Sequence, residues 1–317
     1  MLPNLVRSWL LLAGSLLPAA LQAHWPMAGH DQACELISNR LGSVDLEDCR
    51  SAGLEVVAGS VNGLPILAGD YLPNQPSAAE PYRVMLVGGI HGDELSSVSV
   101  VFRWLRRLRQ DPYRQFHWRI VPVLNPDGLL KRPASRTNAN GVDLNRNFPT
   151  PEGQAQPLDY WIERTGRDRR RFPGPTPFSE PETRWLANEI DRFKPDALVQ
   201  VHAPYGVLDY DGPPEPPDRI GYLHLKLLGA YPGSIGNYMG VARGHPVVTL
   251  ELPHAGIMPT AQQQLRIWSD LSDWLATKLP PRTAPPYFLR LAEQPWLQAR
   301  PRSSMAETQG LASLMQP

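Results

Sequence analysis

The spacing of short apolar runs along the chain most constrains its fold. Four runs have the length and the β-branched content of buried strands. They span residues 84–90, 119–124, 197–201 and 246–250. Apolar residues also recur at helical spacing over residues 95–108, 185–193 and 265–279. Because strands that alternate with helices tend to pair in parallel, we expect an α/β fold: a single domain with a central mixed, mostly parallel β-sheet flanked by helices.

Local signals predict the boundaries of several elements. A β-like stretch over residues 54–61, the Asn-Gly turn at 62–63 and a short run at 64–67 predict a β-hairpin. The sequence Asn-Pro-Asp-Gly at 125–128 predicts a turn after a strand. Ser-Glu-Pro-Glu at 179–182 has the pattern of a capping box, which indicates the start of a helix.

The N-terminal residues 1–23 have the pattern of a secretory signal peptide. Arg7 precedes an apolar stretch that is too short to span a bilayer, and small residues at Ala20 and Ala23 offer cleavage positions. A buried N-terminal helix is the alternative interpretation. The signal predicts export across the inner membrane to a bacterial periplasm, and no other segment is apolar enough to cross a membrane.

The two cysteines of the chain lie in the segment 24–51 that follows this signal. Cys34 and Cys49 are 15 residues apart. In an oxidising compartment such a pair predicts a structural disulfide, with two free thiols as the alternative. Neither cysteine has the spacing of a metal site with any histidine.

Charge and composition limit the classes of partner. Lys plus Arg and Asp plus Glu both number 31, so no long-range field favours nucleic acid or an anionic membrane. Residues 52–279 are enough for one catalytic domain with a sizeable core. Residues 280–317 form a Pro-rich, irregular tail. The oligomeric state is not indicated.

Potential metal ligands stand at the ends of three predicted strands. His91 and Glu94 follow the first strand, His202 follows the third, and Glu251 follows the fourth. The carboxyl ends of strands in an open α/β sheet form a common binding crevice. Two histidines and one glutamate are the ligand set of a catalytic zinc site with an open position for water. Glu251 is then placed to move protons between that water and a leaving amine.

Residues 129–178 carry little periodicity but hold a dense polar motif. Asn145 and Arg146 offer hydrogen-bond donors in a fork that suits a substrate carboxylate. Asp143 is placed to hold the second nitrogen of a zinc-bound histidine. Arg136 is a candidate to polarise the scissile carbonyl and stabilise its oxyanion, with Arg132 as a nearby rival.

These motifs, in this order, resemble the M14-type zinc carboxypeptidases. The resembling segments are His-Gly-Asp-Glu at 91–94, Asn-Pro-Asp-Gly at 125–128, Gly-Val-Asp-Leu-Asn-Arg-Asn-Phe-Pro at 141–149, His202, and Thr-Leu-Glu at 249–251. The resemblance implies that one zinc ion is bound by His91, Glu94 and His202. It also implies that Glu251 is the general acid and base of a peptide hydrolase.

The same resemblance assigns residues to the substrate. It implies that Asn145 and Arg146 grip the terminal carboxylate and that Arg136 stabilises the oxyanion. Tyr231, shortly before Gly-Ser-Ile, is similar to the mobile tyrosine that caps the substrate in this family. With that alignment, Ile235 is expected near the specificity pocket as an apolar wall.

Within the family, the chain looks most like the bacterial murein peptide amidases. That branch cuts the bond between γ-D-glutamate and meso-diaminopimelate, so the expected partner is a murein peptide. Two alternatives stay open. One is a zinc deacylase of the succinylglutamate desuccinylase or aspartoacylase type, which shares the His-x-x-Glu start. The other is a non-catalytic wall-binding protein on the same scaffold.

Overall fold

The computed structural model describes residues 29–74 and 80–279. The signal peptide proposed for residues 1–23 and the Pro-rich tail at 280–317 lie outside the described residues. Among the described residues, no helix combines the length and the apolar character that a membrane crossing requires.

A seven-stranded sheet forms the centre of the fold, and its strand order is β1-β2-β4-β3-β5-β9-β6. Its strands are β1 Glu55–Gly59, β2 Pro65–Tyr71, β3 Arg83–Val87, β4 His117–Val121, β5 Ala197–His202, β6 Val207–Asp211 and β9 Val247–Glu251. The four central strands are parallel, whereas β1, β2 and β6 pair antiparallel at the two edges. The predicted mixed, mostly parallel sheet is therefore confirmed.

Helices cover both faces of this sheet. The helices are α1 His30–Arg40, α2 Leu46–Arg50, α3 Leu95–Gln110, α4 Pro126–Leu130, α5 Pro157–Arg164, α6 Pro181–Phe193 and α7 Ala261–Lys278. A separate two-stranded sheet pairs β7 Arg219–Ile220 with β8 Leu223–His224.

Strand alternation divides the apolar side chains into two cores. Val84 and Leu86 pack with α1, α3 and α7, whereas Met85 and Val87 pack with α6. Both faces of the parallel strands are apolar because helices cover both. The functional side chains described below lie on the α6 side of the sheet.

The N-terminal helices α1 and α2 are joined by a disulfide. Cys34 and Cys49 are bonded at an S–S distance of 2.02 Å and both are buried. Asp45 begins α2 by accepting hydrogen bonds from two backbone N–H groups of the first turn. The sequence patterns did not predict either helix.

Two central strands end earlier than their apolar patterns predicted. β3 ends at Val87 and β4 at Val121, although the apolar runs continue to residues 90 and 124. Backbone contact continues past both ends, because Gly88 donates to Val121 and Leu124 donates back to Gly88. An apolar run records burial rather than ladder pairing, and residues that are buried beyond the strand extend it.

Three local predictions need correction. The segment after Asn125 is the short helix α4, not a simple turn, and the Asn125 side chain accepts from Gly128 N–H at 2.8 Å. The capping box expected at 179–182 is wrong: α6 begins after Glu180 without any side-chain cap. The Ser179 hydroxyl donates to the Glu180 carboxylate instead. The helix expected over 265–279 begins earlier, where Thr260 and Gln263 form a true capping box.

Candidate metal centre and substrate cavity

The ends of β5 and β9 bring two functional residues side by side. His202 is the last residue of β5, Glu251 is the last residue of β9, and the two are paired in the parallel ladder. Leu198 packs in the α6-side core, so by alternation Gln200 and His202 face the same side of the sheet. The local sequence sets which face each residue takes, and the strand pairing sets their proximity.

The loop after β3 places His91 and Glu94 at the same edge through a close backbone approach. A Cβ on Gly92 would overlap the backbone of Gly128 and Leu129, so the loop can pack against α4 only where residue 92 lacks a side chain. Glu94 stands immediately before α3. The glycine of the His-Gly-Asp-Glu motif therefore allows its loop to pack directly on the backbone of the Asn-Pro-Asp-Gly motif.

His91, Glu94 and His202 converge on one point. His91 Nδ1 lies 2.8 Å from Glu94 Oε1, and His202 Nδ1 lies 3.0 Å from Glu94 Oε2. The two Nδ1 atoms are 3.2 Å apart, and all three residues are buried. Ligand atoms held about 2.0–2.1 Å from a tetrahedral zinc ion lie about 3.3 Å from one another. The donor set and its spacing therefore fit zinc.

The second nitrogen of each histidine is held by a polar side chain. His91 Nε2 lies 3.1 Å from Asp143 Oδ1, and His202 Nε2 lies 3.2 Å from Gln200 Oε1. Both acceptors favour the tautomer that carries its proton on Nε2, which leaves the lone pair of Nδ1 for a metal. Asp143 was expected in this role from the sequence, whereas Gln200 was not.

Charges on neighbouring groups determine the pKa values of the carboxyl groups at this centre. Burial alone would raise the pKa of Glu94, but the imidazoles of His91 and His202 outweigh it and lower that pKa. Burial likewise acts against ionisation of Asp143, yet Arg136 and His91 hold the pKa of its carboxyl well below the usual range. Both carboxyl groups are therefore ionised at neutral pH.

Glu251 differs from these acids in having few partners. Burial raises the pKa of its carboxyl, the cationic form of His202 opposes that rise, and Glu94 adds to it. Its Oε2 atom is buried and makes no hydrogen bond with any described residue. A carboxyl group with an unused oxygen in a cavity is available to a substrate or a water molecule.

Arg136 contacts the same centre from the segment between α4 and α5 (residues 131–156), which we call the polar loop. Its Nε donates to Asp143 Oδ2 at 2.9 Å, and its Nη1 lies 3.1 Å from His91 Nδ1. Nη1 is also 3.5 Å from Glu94 Oε1. This position is close enough to the metal ligands for the guanidinium to reach an oxyanion formed beside them.

Asn145, Arg146 and Tyr231 form one wall of the cavity. A Cβ on Gly233 would overlap the backbone of Arg146, so the turn that carries Tyr231 packs directly on the polar loop. The Arg146 guanidinium carbon lies 4.7 Å from the centre of the Tyr231 ring. The side-chain amide oxygen of Asn145 (Oδ1) accepts from Ile235 N–H at 2.9 Å, which holds the two segments together. The structure thus brings together Asn145, Arg146 and Tyr231, which were predicted to bind the substrate.

Sequence comparison identifies the family of this site. The sequence profile of the zinc carboxypeptidases matches residues 52–226, more than half of the chain. The chain belongs to the zinc carboxypeptidase family. It is therefore a hydrolase, and members of this family are zinc enzymes. The profile match ends before Glu251, whose place at the site is given by the pairing of β9 with β5.

Individual relatives agree with this assignment. Murein peptide amidase A from Escherichia coli is 31% identical over 229 residues, covering 70% of this chain and 90% of the relative. Murein peptide amidase A from Vibrio campbellii is 30% identical over 213 residues, covering 65% and 82%. Carboxypeptidase A from Helicoverpa armigera is 18% identical, and its solved structure aligns with a TM-score of 0.54 over 75% of this chain and 69% of that chain. The last likeness concerns the fold alone.

The zinc carboxypeptidase-like centre opens into a cavity of about 490 Å³, which we call the substrate cavity. Its walls include two acids on β6, Asp209 and Asp211, which sequence reasoning missed together with the strand that carries them. Ile235 was expected to supply an apolar wall, and this is wrong. Its side chain is buried in the α6-side core, and its neighbours Ser234 and Gly236 line the cavity instead.

Proposed function

We propose that this chain is an exported zinc metallopeptidase that hydrolyses the γ-D-glutamyl-meso-diaminopimelate bond of murein peptides. The observation that carries the proposal is the convergence of His91, Glu94 and His202 beside Glu251 in the lining of one cavity. The relatives named murein peptide amidase A support the substrate class, because the alignment spans most of both chains.

The centre supplies the groups that amide hydrolysis needs. One zinc ion held by His91, Glu94 and His202 would act as a Lewis acid that polarises the scissile carbonyl and lowers the pKa of a water molecule. Glu251 accepts a proton from the attacking water and delivers it to the leaving amine as the C–N bond breaks. Its buried position makes the carboxylate a stronger base than one in water.

The polar wall orients the substrate. Arg146 and Asn145 present donors to a free carboxylate on the leaving side of the scissile bond. Arg136 stabilises the negative charge that develops on the carbonyl oxygen. Tyr231, stacked on Arg146, covers the substrate from the solvent side. A carboxylate next to the scissile bond is common to carboxypeptidase substrates and to a diaminopimelate residue at a peptide end.

Export is part of the same proposal. The signal-like residues 1–23 and the disulfide between Cys34 and Cys49 both suit the periplasm, where disulfides persist. Fractionation of cells that express the full chain tests this directly. Recovery of the intact, unprocessed chain in the cytoplasmic fraction would contradict export without affecting the proposed reaction.

Defined muropeptides test the reaction. The zinc-loaded protein is incubated with L-Ala-γ-D-Glu-meso-diaminopimelate, and mass spectrometry identifies the bond that is cut. We expect free meso-diaminopimelate and the dipeptide L-Ala-D-Glu from the wild type, and their formation at least about 100-fold slower with Glu251→Gln. An N-acylated amino acid is run in parallel. Cleavage of that compound alone would favour a deacylase, and cleavage of neither by zinc-loaded protein would favour a binding protein.

A further inference from the structure

A turn rich in arginine, residues 168–172, forms part of the wall of the substrate cavity, and we call it the arginine turn. Its residues Asp168, Arg170 and Arg171 line the cavity together with the metal ligands. The leaving carboxylate and the oxyanion already have arginines of their own in the proposed hydrolysis. The two guanidinium groups of the arginine turn therefore have no part in that reaction and need a separate explanation.

Hydrogen bonds hold the arginine turn in place. The Asp168 side chain accepts from Arg170 N–H at 2.9 Å, and the Asp168 carbonyl oxygen accepts from the Trp161 indole at 2.7 Å. The Phe172 carbonyl oxygen accepts from the backbone N–H of Asp143 at 2.8 Å. The rings of Trp161 and Phe172 also pack edge to face, with 5.0 Å between their centroids. The turn is therefore fixed to α5 and to the polar loop, which reduces the ordering cost of binding a ligand there.

Both guanidinium groups of the arginine turn keep donors available for a ligand. Arg170 donates through Nη2 to Asp93 Oδ2 at 2.8 Å, and its other donors make no hydrogen bond with the described residues. Arg171 Nε lies 3.6 Å from Asp168 Oδ2, beyond hydrogen-bond distance. Both arginine side chains are exposed, so a ligand in the cavity can reach them. A guanidinium with one edge held and the other edge open is suited to binding a carboxylate.

Positive charge accumulates along this side of the cavity. Burial lowers the pKa of Arg146, and the negative charge of Asp143 opposes that shift. The positive charges of Arg136 and Arg171 add to the shift, so both guanidinium groups lie near Arg146. Like charges in one cavity repel one another until an anion lies among them. This side of the cavity therefore suits a substrate that carries more than one carboxylate.

The proposed substrate has a second carboxylate close to the scissile bond. In a γ-linked D-glutamyl residue the side-chain carboxyl group forms the peptide bond, so the α-carboxylate is free. Its carboxyl carbon lies about 5 Å from the scissile carbonyl carbon when the connecting chain is extended. Arg170 contacts Asp93, which directly precedes the metal ligand Glu94. A carboxylate at that reach from a carbonyl group at the metal centre is expected beside the arginine turn.

We propose that Arg170 and Arg171 form a subsite for the free α-carboxylate of the γ-linked D-glutamyl residue, on the acyl side of the scissile bond. This inference rests on the proposed function and deepens it, because it assigns residues to the half of the substrate that the polar wall does not bind. Asp93 keeps its hydrogen bond to Arg170 and so orients the guanidinium. The subsite then selects substrates with a negative charge on the acyl residue over neutral ones of the same length.

Two peptides that differ in one carboxylate isolate this interaction. The zinc-loaded protein is assayed with L-Ala-γ-D-Glu-meso-diaminopimelate and with L-Ala-γ-aminobutyryl-meso-diaminopimelate, which lacks only the α-carboxylate. The ratio of their kcat/KM values cancels general losses of activity or of folded protein. We expect the wild type to favour the glutamyl peptide by about 10- to 100-fold, the range that hydrogen bonds to a charged group contribute. Because both arginines are exposed, this ratio should fall as the salt concentration rises.

Arg170→Gln and Arg171→Gln should each lower this ratio, and the double variant should bring it close to one while the γ-aminobutyryl peptide is still cut. Loss of the Arg171 charge near Arg146 acts on both peptides, and the ratio removes that effect. Arg169→Gln is the matched control, because it removes the same charge from an exposed side chain of the same turn that does not line the cavity. We expect this control to keep the wild-type ratio.

Two results would overturn the subsite and leave the amidase standing. One is cleavage of both peptides at similar kcat/KM by the wild type, and the other is a wild-type ratio that persists in the double variant. A third peptide, with L-lysine in place of meso-diaminopimelate, tests the position of the carboxylate. If the arginine variants lose the preference for diaminopimelate over lysine and keep the preference for the glutamyl residue, the arginines bind the leaving residue and the proposed subsite is wrong.

A binding measurement separates this inference from the proposed function. If no peptide is cut, calorimetric binding of L-Ala-D-Glu and of L-Ala-γ-aminobutyrate to the same zinc-loaded protein decides the matter. Tighter binding of L-Ala-D-Glu that is lost in the double variant supports the subsite without the amidase. Equal binding of the two dipeptides overturns it.

Discussion

Replacing Asp209 by asparagine should stabilise the protein without ligand at alkaline pH and leave it unchanged at acidic pH. In the unfolded chain this carboxyl ionises near its ordinary pKa of 3.8, whereas in the folded protein burial and Asp211 raise the pKa to about 7. Between these pH values the folded state binds more protons than the unfolded state. The contribution of Asp209 to stability therefore falls as pH rises through this range and is lowest above pH 7.

The magnitude follows from the two pKa values. Each tenfold change in proton affinity corresponds to about 1.4 kcal/mol, so ionising Asp209 in the folded state costs at most about 4 kcal/mol. Entry of water into the cavity reduces that cost, and we expect about 2–4 kcal/mol. Asp209→Asn removes the charge but keeps the acceptor for Leu228 N–H at 2.8 Å. The gain should therefore come from electrostatics and not from a new contact.

Urea unfolding of both proteins at about pH 5 and about pH 8.5, with a chelator present throughout, measures the effect. The free energy of unfolding of the variant minus that of the wild type is taken at each pH, and the value at the lower pH is subtracted from the value at the higher pH. This double difference cancels the contributions of all groups that titrate alike in both proteins. Because the unfolded carboxyl is already ionised at pH 5, only the two pH units between 5 and about 7 contribute, and an increase of about 1–3 kcal/mol in this double difference is expected. A value near zero would refute the reasoning, since it would mean that Asp209 is already ionised in the folded protein without a ligand.

Three other perturbations test the site and the fold. Glu251→Gln should lower kcat about 100- to 10,000-fold with the zinc content unchanged, measured by muropeptide hydrolysis and elemental analysis, and a mere loss of zinc would contradict its role as a base. Asp143→Asn should weaken zinc binding about 10- to 100-fold in a chelator competition, because the amide can present a donor where His91 Nε2 needs an acceptor. Unchanged zinc affinity would argue against that contact. Replacing Cys34 and Cys49 together by alanine should lower the free energy of unfolding by about 3 kcal/mol in urea, since a 15-residue loop is opened, and full stability of the variant would contradict this expectation.

The sequence was enough to predict the metal centre because its ligands follow strands that can be recognised from their apolar runs. His91, Glu94, His202 and Glu251 each stand at or shortly after an apolar run, and parallel strands bring their carboxyl ends to one edge. Gly92 and Gly128 could be identified from the sequence as parts of two motifs. Their reasons became visible only in the structure: a Cβ on Gly92 would overlap the backbone of Gly128, and a Cβ on Gly128 would overlap the backbone oxygens of Ser135 and Thr137.

The sequence located element boundaries less well, because local patterns record burial and not pairing. The runs before His91 and Asn125 stay apolar after their strands have ended, since glycine-mediated backbone contacts keep those residues inside. The pattern at 179–182 matched a capping box, but Glu180 accepts from Asn138 and Asn140 in the polar loop instead of capping α6. Tertiary hydrogen bonds there outweighed the local signal.

What the sequence determined by itself is the family, the fold class and the set of residues predicted to bind zinc and move protons. Tertiary structure alone decided the character of the substrate cavity. Asp209 and Asp211 lie on an edge strand without a motif, and only antiparallel pairing with the distant β9 turns them toward Glu251. Ile235 has an apolar side chain suited to a pocket, yet the packing of its segment directs it into the core. Long-range contacts decide which side chains line a cavity, and the spacing of neighbouring residues in the sequence does not predict those contacts.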